Sequence, residues 1–312
     1  MTFLYALPGA VAEGLIWGLM SIGVYISYKI LDIADLTVDG SICTGACVCA
    51  VLLGMGVPAW CSVLAALIAG ALTGVVTGLL HTLLGIPSIL AGILTQLMLY
   101  SVNLLILGGK SLMAIDPRAN DLLVHMSDNN HSILSLSIIV VATIYMLYQF
   151  FYTEIGLTLK STGDNPDMSR AQGVNVDRNK VVGLAIANGI VAMAGALLAQ
   201  YKGSANINDG RGAIVIGLAA IFIGLSVSLK IKPNFVVSLI GVIGGGIVYY
   251  IVYNFVILLG LKTDYLKMLS AIIVALFLGI PYLKAKYFTK RRDLHPSDLT
   301  AQSNVTGGNG HA

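Results

Sequence analysis

Two carboxylates stand close together in an otherwise apolar part of the chain. Asp35 and Asp39 are four residues apart, and Thr37 and Ser41 repeat that spacing on a neighbouring helix face. Carboxylate and hydroxyl groups in apolar surroundings could bind a proton or cation, contact a polar solute, or cap a helix. These four residues are therefore candidates for a functional site.

Uncharged polar side chains recur in other apolar segments. Gln96 and Asn188 lie inside such segments, where hydrogen bonds between helices would explain them. Gln200 and Asn206 lie near the end of a later segment. They are either ordinary loop residues or, if the loop turns inward, contacts for a solute or an external partner.

Patterns typical of metal binding, nucleophilic catalysis and nucleotide hydrolysis are weak or missing. Cys43 and Cys47 share a helix face, but their neighbours do not complete a tetrahedral metal site, and small apolar packing residues explain them as well. Neither H-E-x-x-H nor G-x-S-x-G occurs. Gly109-Lys110-Ser111 ends like a phosphate-binding loop, but Leu104 stands where the first glycine belongs. We predict no catalytic residues, no metal site and no ATP hydrolysis in this chain.

The composition indicates which class of protein contains these residues. The chain has 312 residues, 57% of them hydrophobic and 11% charged, whereas a soluble domain is about 25% charged. This excludes a disordered chain, a secreted disulfide-built module and an ordinary cytosolic enzyme. The net charge of +3, with scattered Lys and Arg, leaves no basic face for nucleic acid.

Apolar blocks of membrane-spanning length divide the chain. At roughly 20 residues per span, the sequence predicts an all-α polytopic membrane protein with about nine (8–10) transmembrane helices. The second block is short and could begin deeper than its neighbours, and the eighth contains Gly244 to Gly246, where it could tilt or break. The blocks are 8–29, 40–54, 58–80, 87–107, 133–152, 181–200, 213–229, 234–260 and 266–283.

The distribution of Lys and Arg predicts the orientation. With the N-terminus outside and the C-terminus inside, 12 of the 18 basic residues lie on the inner side and 6 on the outer side, as the positive-inside rule requires. Residues 1–285 are predicted to form one transmembrane domain with an inner loop at 154–180. Residues 286–312 are predicted to be a cytoplasmic tail, basic at first and then disordered.

In a membrane protein, the two aspartates have two interpretations, and both remain open. Asp35 and Asp39 could lie at the inner interface and cap the second span. They could instead begin a broken helix that faces a solute pathway, where protein and water satisfy the backbone.

The inner loop carries the signature of a short helix. Asn165 suits the N-cap, Pro166 the first helical position and Gly173 the end. A helix of about two turns is unstable alone and needs a packing partner. It either lies on the bilayer surface or docks into a cytoplasmic protein, with Met168 as the adaptable apolar anchor and Arg170 at its edge.

Three stretches of the chain together resemble one protein family. Residues 156–178, which include Asn165-Pro166, resemble the coupling loop of permeases in the branched-chain amino acid and ribose class of bacterial ABC importers. Asp35-Leu36-Thr37-Val38-Asp39-Gly40-Ser41 is similar to the motif that opens an early membrane segment in those permeases, although the cysteines that follow depart from the family pattern. Gly210, Gly212 and residues 216–224 resemble a third block. The likeness covers about residues 10–283.

The resemblance implies a permease in the bacterial inner membrane, of the subgroup paired with tryptophan-type binding proteins. Its solute would be small, an amino acid, and an aromatic amino acid is the first candidate. The implied partners are an ATP-binding cassette ATPase dimer that holds ATP and Mg, an extracytoplasmic substrate-binding protein, a second permease copy and the lipid bilayer. The alternative is an ion-coupled secondary transporter, in which a carboxylate near the bilayer midplane would bind the coupling ion.

The expected site residues form two sets. Residues for contact with the ATPase are Gly163, Asp164, Asn165, Pro166, Asp167, Met168, Ser169, Arg170, Ala171, Gln172 and Gly173. Candidates for the solute pathway are Asp35, Thr37, Asp39, Ser41, Gln96, Asn188, Gln200 and Asn206.

Overall fold

A computed structural model describes residues 2–116, 122–126, 128–228 and 234–258, together with residues 268, 271, 272, 275 and 279. The described residues form α-helices and two three-residue strands. The helices are α1 (Thr2–Tyr25), α2 (Val38–Gly54), α3 (Ala59–Thr82), α4 (Ser88–Ile106), α5 (Asn129–Phe151), α6 (Glu154–Asp164), α7 (Pro166–Ala171), α8 (Val176–Lys202), α9 (Ala213–Ser228) and α10 (Phe235–Leu258). The strands are β1 (Leu112–Ala114) and β2 (Ser204–Asn206), and a π-helical turn (Ile26–Ile30) continues α1.

The predicted class of fold, a polytopic helical membrane protein, is confirmed. Within the described residues, six helices are long and apolar enough to cross a membrane: α1 with its π-turn, α3, α4, α5, α8 and α10. The helices α2 and α9 are apolar but shorter, as expected for the second block. The possible break in the eighth block is absent, because α10 runs continuously through Gly244 to Gly246. The ninth block, 266–283, falls almost entirely outside the described residues.

Helix α8 lies at the centre of the packing. Its side chains are buried almost without interruption from Ala187 to Tyr201. Helix α3 approaches it through Gly70, Gly74 and Gly78, which repeat every four residues and all face α8. The two backbones are so close that a Cβ atom at Gly74 would overlap the carbonyl oxygen of Leu184. The glycine repeat therefore packs two helices of one chain together rather than serving contact between subunits.

A single methyl group at Gly74 should destabilise the protein. Ala is normally favoured over Gly in a helix interior by about 1 kcal/mol, but overpacking here costs about 1–3 kcal/mol or more. We expect Gly74→Ala to lower the thermal unfolding midpoint in detergent. Gly244→Ala is the control, since a Cβ there has open space within 4 Å, and it should leave the midpoint unchanged or raise it. Equal midpoints for the two variants would contradict this packing.

Strands β1 and β2 pair antiparallel, with Met113 opposite Ala205. This pairing, which the sequence pattern did not predict, ties the chain after α4 to the chain after α8. The segment after β2 then turns back toward α2 and leads into α9.

Candidate functional site

A chain of buried hydrogen bonds joins α2, α3 and α8. Asn188 Nδ2 donates to Asp35 Oδ2 at 2.6 Å, and Asn188 Oδ1 accepts from Ser41 Oγ at 2.6 Å. Ser41 Oγ in turn lies 2.7 Å from Thr73 Oγ1. Each of these side chains is 6% exposed or less. In an apolar interior such a fully paired network fixes the relative positions of the helices that supply it.

A second buried chain of hydroxyls runs parallel to the first. Thr37 Oγ1 lies 2.7 Å from Thr77 Oγ1, which donates to Thr95 Oγ1 of α4 at 3.0 Å. Sequence analysis identified Asp35, Thr37, Ser41 and Asn188 but missed the three partners from α3 and α4, which are Thr73, Thr77 and Thr95. The four-residue spacing of Thr73 and Thr77 beside the glycine repeat was the available sign that these hydroxyls face a neighbouring helix.

Asp35 marks a helix start that lies within the helix packing. Its Oδ1 accepts from the amide of Thr37, the residue just before α2, at 2.9 Å. Its Oδ2 meets Asn188, which is near the middle of α8 (Val176–Lys202). This contact places the start of α2 beside the middle of α8 and not beside either end of that helix.

Asp39 joins this helix start to the start of α9. Its Oδ2 accepts from the amide of Gly212 and its Oδ1 from the amide of Ile214, both at 2.9 Å. Gly210 lies directly against the Asp39 carbonyl, where any Cβ atom would overlap it. The N-termini of two short helices thus converge on one carboxylate. Each helix start contributes about half a positive charge, an arrangement that transporters use for anionic groups of solutes.

Beside this junction is a cavity of about 250 Å³, which we call the α4 cavity. The structure brings the predicted residues Asp39 and Gln96 together in its wall. Sequence analysis did not identify the other polar lining residues, Tyr100, Asn103 and Arg211, as pathway candidates. The complete lining is Asp39, Gly40, Cys43, Gln96, Leu97, Tyr100, Asn103, Ile207 and Arg211.

Two predicted pathway residues lie apart from this cavity. Gln200 is fully buried, and its side chain accepts from the amide of Leu123 at 3.1 Å and donates to Cys49 Sγ at 3.5 Å. Asn206 lies in β2 and accepts from the amide of Asn208 at 2.9 Å. In this conformation both residues hold loops in place and do not line the α4 cavity.

The cysteines of α2 pack against the chain that returns from β2. Cys43 Sγ lies 3.3 Å from the Ile207 carbonyl and accepts from the amide of Gly210 at 3.1 Å. Cys47 packs with Leu107 and Ile207. Both thiols are free, and these contacts are those of small packing residues.

The inner loop contains the short helix that its sequence predicts. Asn165 caps α7 by accepting from the amide of Met168 at 3.0 Å, Pro166 is its first residue, and Gly173 has a φ of +84° just beyond its end. The Met168 side chain is 59% exposed. Arg170 lies 3.5 Å from Asp177, an exposed pair that contributes little to stability. The structure leaves an apolar anchor uncovered on this helix.

A second helix of the 154–180 segment, α6, which the sequence analysis treated as loop, connects α7 to the transmembrane helices. Ser169 donates to Ser161 of α6 at 3.3 Å, and Asn179 of α8 donates to Thr162 of α6 at 3.0 Å. Gly163 of α6 lies against the carbonyl oxygen of Ile30 in the π-helical turn. The short helix is therefore attached both to α8 and to the end of α1.

Comparison with known proteins gives a consistent result. Residues 9–280 match the model of the family described as branched-chain amino acid transport system / permease component. A tyrosine transport system permease protein of Clostridioides difficile (strain R20291) is 36% identical over 86% of this chain and 88% of its own. An uncharacterised protein of Rickettsia prowazekii (strain Madrid E) is 31% identical over 88% of this chain and 96% of its own.

More distant similarity extends to a further transport protein. The autoinducer 2 import system permease protein LsrC of Escherichia coli (strain K12 / DH10B) is 29% identical over 56% of this chain and 52% of its own. No solved structure matches the chain significantly.

Proposed function

The chain belongs to the branched-chain amino acid transport system permease family, and we propose that it forms the translocation pathway of an ABC importer for an amino acid. It is a multi-pass protein of the bacterial inner membrane and a transport component rather than an enzyme. The observation that carries the proposal is α7, a capped helix with an uncovered apolar residue that is attached to the transmembrane helices.

We propose an aromatic amino acid as the first solute to test. The C. difficile relative is a tyrosine transport system permease protein and is similar over most of both chains. The α4 cavity supports this choice, because it combines Tyr100 with a carboxylate, a guanidinium group and two amides. Ligand sites commonly combine an apolar surface with a few such polar groups.

The proposed assembly has three kinds of protein besides the bilayer. Two copies of this chain form the pathway, each with about nine spans and an outer N-terminus. An ATPase dimer binds ATP and Mg and contacts residues 163–173 of each copy, while a binding protein delivers the solute from outside.

The proposed coupling runs through named contacts. Closure of the ATPase dimer would displace α7, and the Ser169–Ser161 contact would carry that movement to α6. From α6 it would reach α8 through Thr162 and Asn179, and the end of α1 through Gly163 and Ile30. Both routes lead to the Asp35–Asn188 hydrogen bond at the start of α2.

The test is whether an ATPase co-purifies with the tagged chain in mild detergent. We expect a stoichiometric ATPase, identified by mass spectrometry, with the wild-type chain. Met168→Asp should reduce the recovered ATPase by about tenfold or more, because it places a charge in the apolar contact. Met55→Asp is the matched control: that methionine is also exposed, at 73%, but it follows α2 and is not part of residues 163–173.

Two outcomes would count against the proposal. If Met168→Asp retains the ATPase and normal ATP-driven uptake, α7 is not the coupling helix. If no ATPase accompanies the wild-type chain, the ion-coupled alternative becomes the better explanation, and proton-driven uptake with Asp35 and Asp39 neutralised is the next measurement.

A further inference from the structure

One residue of the α4 cavity wall, Asn103, has an unsatisfied polar atom. Asn103 is 1% exposed, and its Oδ1 has no hydrogen-bond partner within the part of the chain that the structure describes. Burying a carbonyl oxygen without a donor costs about 1–3 kcal/mol. Such a group in a cavity wall is explained most simply if an N–H or O–H donor occupies the cavity in the working cycle.

A cation stands in the same wall. Arg211 is exposed and forms no ion pair with any described residue, although Asp39 lines the same cavity. Both oxygens of Asp39 already accept backbone amides of the α9 start. The guanidinium group is therefore available to an anion that enters from the cavity, and its planar fork fits a carboxylate in a bidentate manner.

The spacing of the lining residues on α4 indicates how long the cavity is. Gln96 and Asn103 are seven residues apart, which is two helical turns or about 10 Å along the axis. Tyr100 lies between them with 44% of its surface exposed. The wall thus offers polar groups at its two ends and an aromatic surface in the middle, on which a planar side chain could stack.

We propose that the α4 cavity is a transit site for the zwitterionic head of an α-amino acid. Arg211 binds the α-carboxylate, and Asn103 Oδ1 accepts a hydrogen bond from the α-ammonium group. The side chain of the solute lies along Tyr100. This proposal rests on the proposed function and adds to it the residues that hold the solute between the outer and inner openings.

The test measures binding to the purified permease–ATPase complex without the binding protein. Three unlabelled compounds compete with radiolabelled L-tyrosine for binding. They are L-tyrosine itself, tyramine, which lacks the carboxylate, and desaminotyrosine, which lacks the ammonium group. With the wild-type complex, L-tyrosine should displace the label about tenfold better than either analogue. Arg211→Gln should abolish the preference for L-tyrosine over tyramine, because it removes the partner of the carboxylate. The preference for L-tyrosine over desaminotyrosine should remain. Lys202→Gln is the control, because this exposed cation does not line the α4 cavity.

Asn103→Leu separates binding from folding. It removes an unpaired buried carbonyl, so the thermal unfolding midpoint should not fall, while the preference for L-tyrosine over desaminotyrosine should disappear. A lower midpoint with an unchanged preference would show that Asn103 has a structural role only and would overturn the proposal.

Uptake into proteoliposomes distinguishes a failure of the transit site from a failure of the proposed function. If the wild-type complex with its binding protein takes up L-tyrosine but shows no binding, or if Arg211→Gln keeps the wild-type preference, the transit site is wrong and the proposed function stands. If ATP drives no uptake of any amino acid, the proposed function itself fails.

Discussion

Exchanging Asp35 and Asn188 should preserve the protein, whereas either single change should damage it. In Asp35→Asn, an amide NH₂ faces the NH₂ of Asn188, and Asn188 cannot rotate without losing the hydrogen bond from Ser41. In Asn188→Asp, two carboxylates meet in a buried site. The double variant Asp35→Asn/Asn188→Asp restores one donor opposite one acceptor and keeps the acceptors for Ser41 and Thr37.

The expected losses of stability follow from the groups that each variant leaves in contact. Loss of a buried hydrogen bond to a charged group costs about 1.5–3 kcal/mol, and the paired carboxylates of Asn188→Asp should cost more. The measurement is the thermal unfolding midpoint in detergent with ATP-driven uptake alongside. The double variant should recover most of the midpoint lost by the single variants. If its loss is instead the sum of the two single losses, the contact does not couple these residues.

Replacing Asp39 should impair transport more than it impairs folding. Ala at this position leaves the amides of Gly212 and Ile214 without acceptors and removes a negative charge from two converging helix starts. Loss of a helix cap costs about 0.5–2 kcal/mol, which a protein of this size can tolerate. We expect Asp39→Ala to lower the rate of uptake by about tenfold or more.

Two further variants define what the Asp39 carboxylate does. Asp39→Asn keeps one acceptor and should lie between Asp39→Ala and the wild type. Asp209 lies between β2 and α9, and its carboxylate accepts none of the α9 amides. Asp209→Asn should therefore keep near wild-type uptake. If Asp209→Asn were as harmful as Asp39→Ala, the general negative charge of this region would matter and not the cap.

Local patterns in the sequence predicted local structure well. Asn165, Pro166 and Gly173 determine a helix start and end through contacts within a few residues, so α7 could be placed from its sequence. Continuous apolar blocks likewise located the spans that the structure describes. The helix α6 was missed because Thr153, its N-cap, and Glu154 stand in a polar stretch that also suits a loop.

Contacts between distant residues were not predictable in the same way. Asp35 and Asn188 are 153 residues apart, and neither residue carries a sign of its partner. A repeat such as Gly70, Gly74 and Gly78 is typical of a close helix contact, but it does not indicate that α8 is the partner. The Oδ1 of Asn103 became informative only when the structure showed that it has no hydrogen-bond partner among the described residues.

The connection between α1 and α2 is anchored at both ends. Ile30 lies against Gly163 of α6, and Asp35 is bound to Asn188 near the middle of α8. An inserted residue adds up to about 3.5 Å of chain, which neither packed contact can absorb. Natural variation in the length of this protein should therefore be confined to other places, and an insertion or deletion between Leu31 and Ala34 should be selected against.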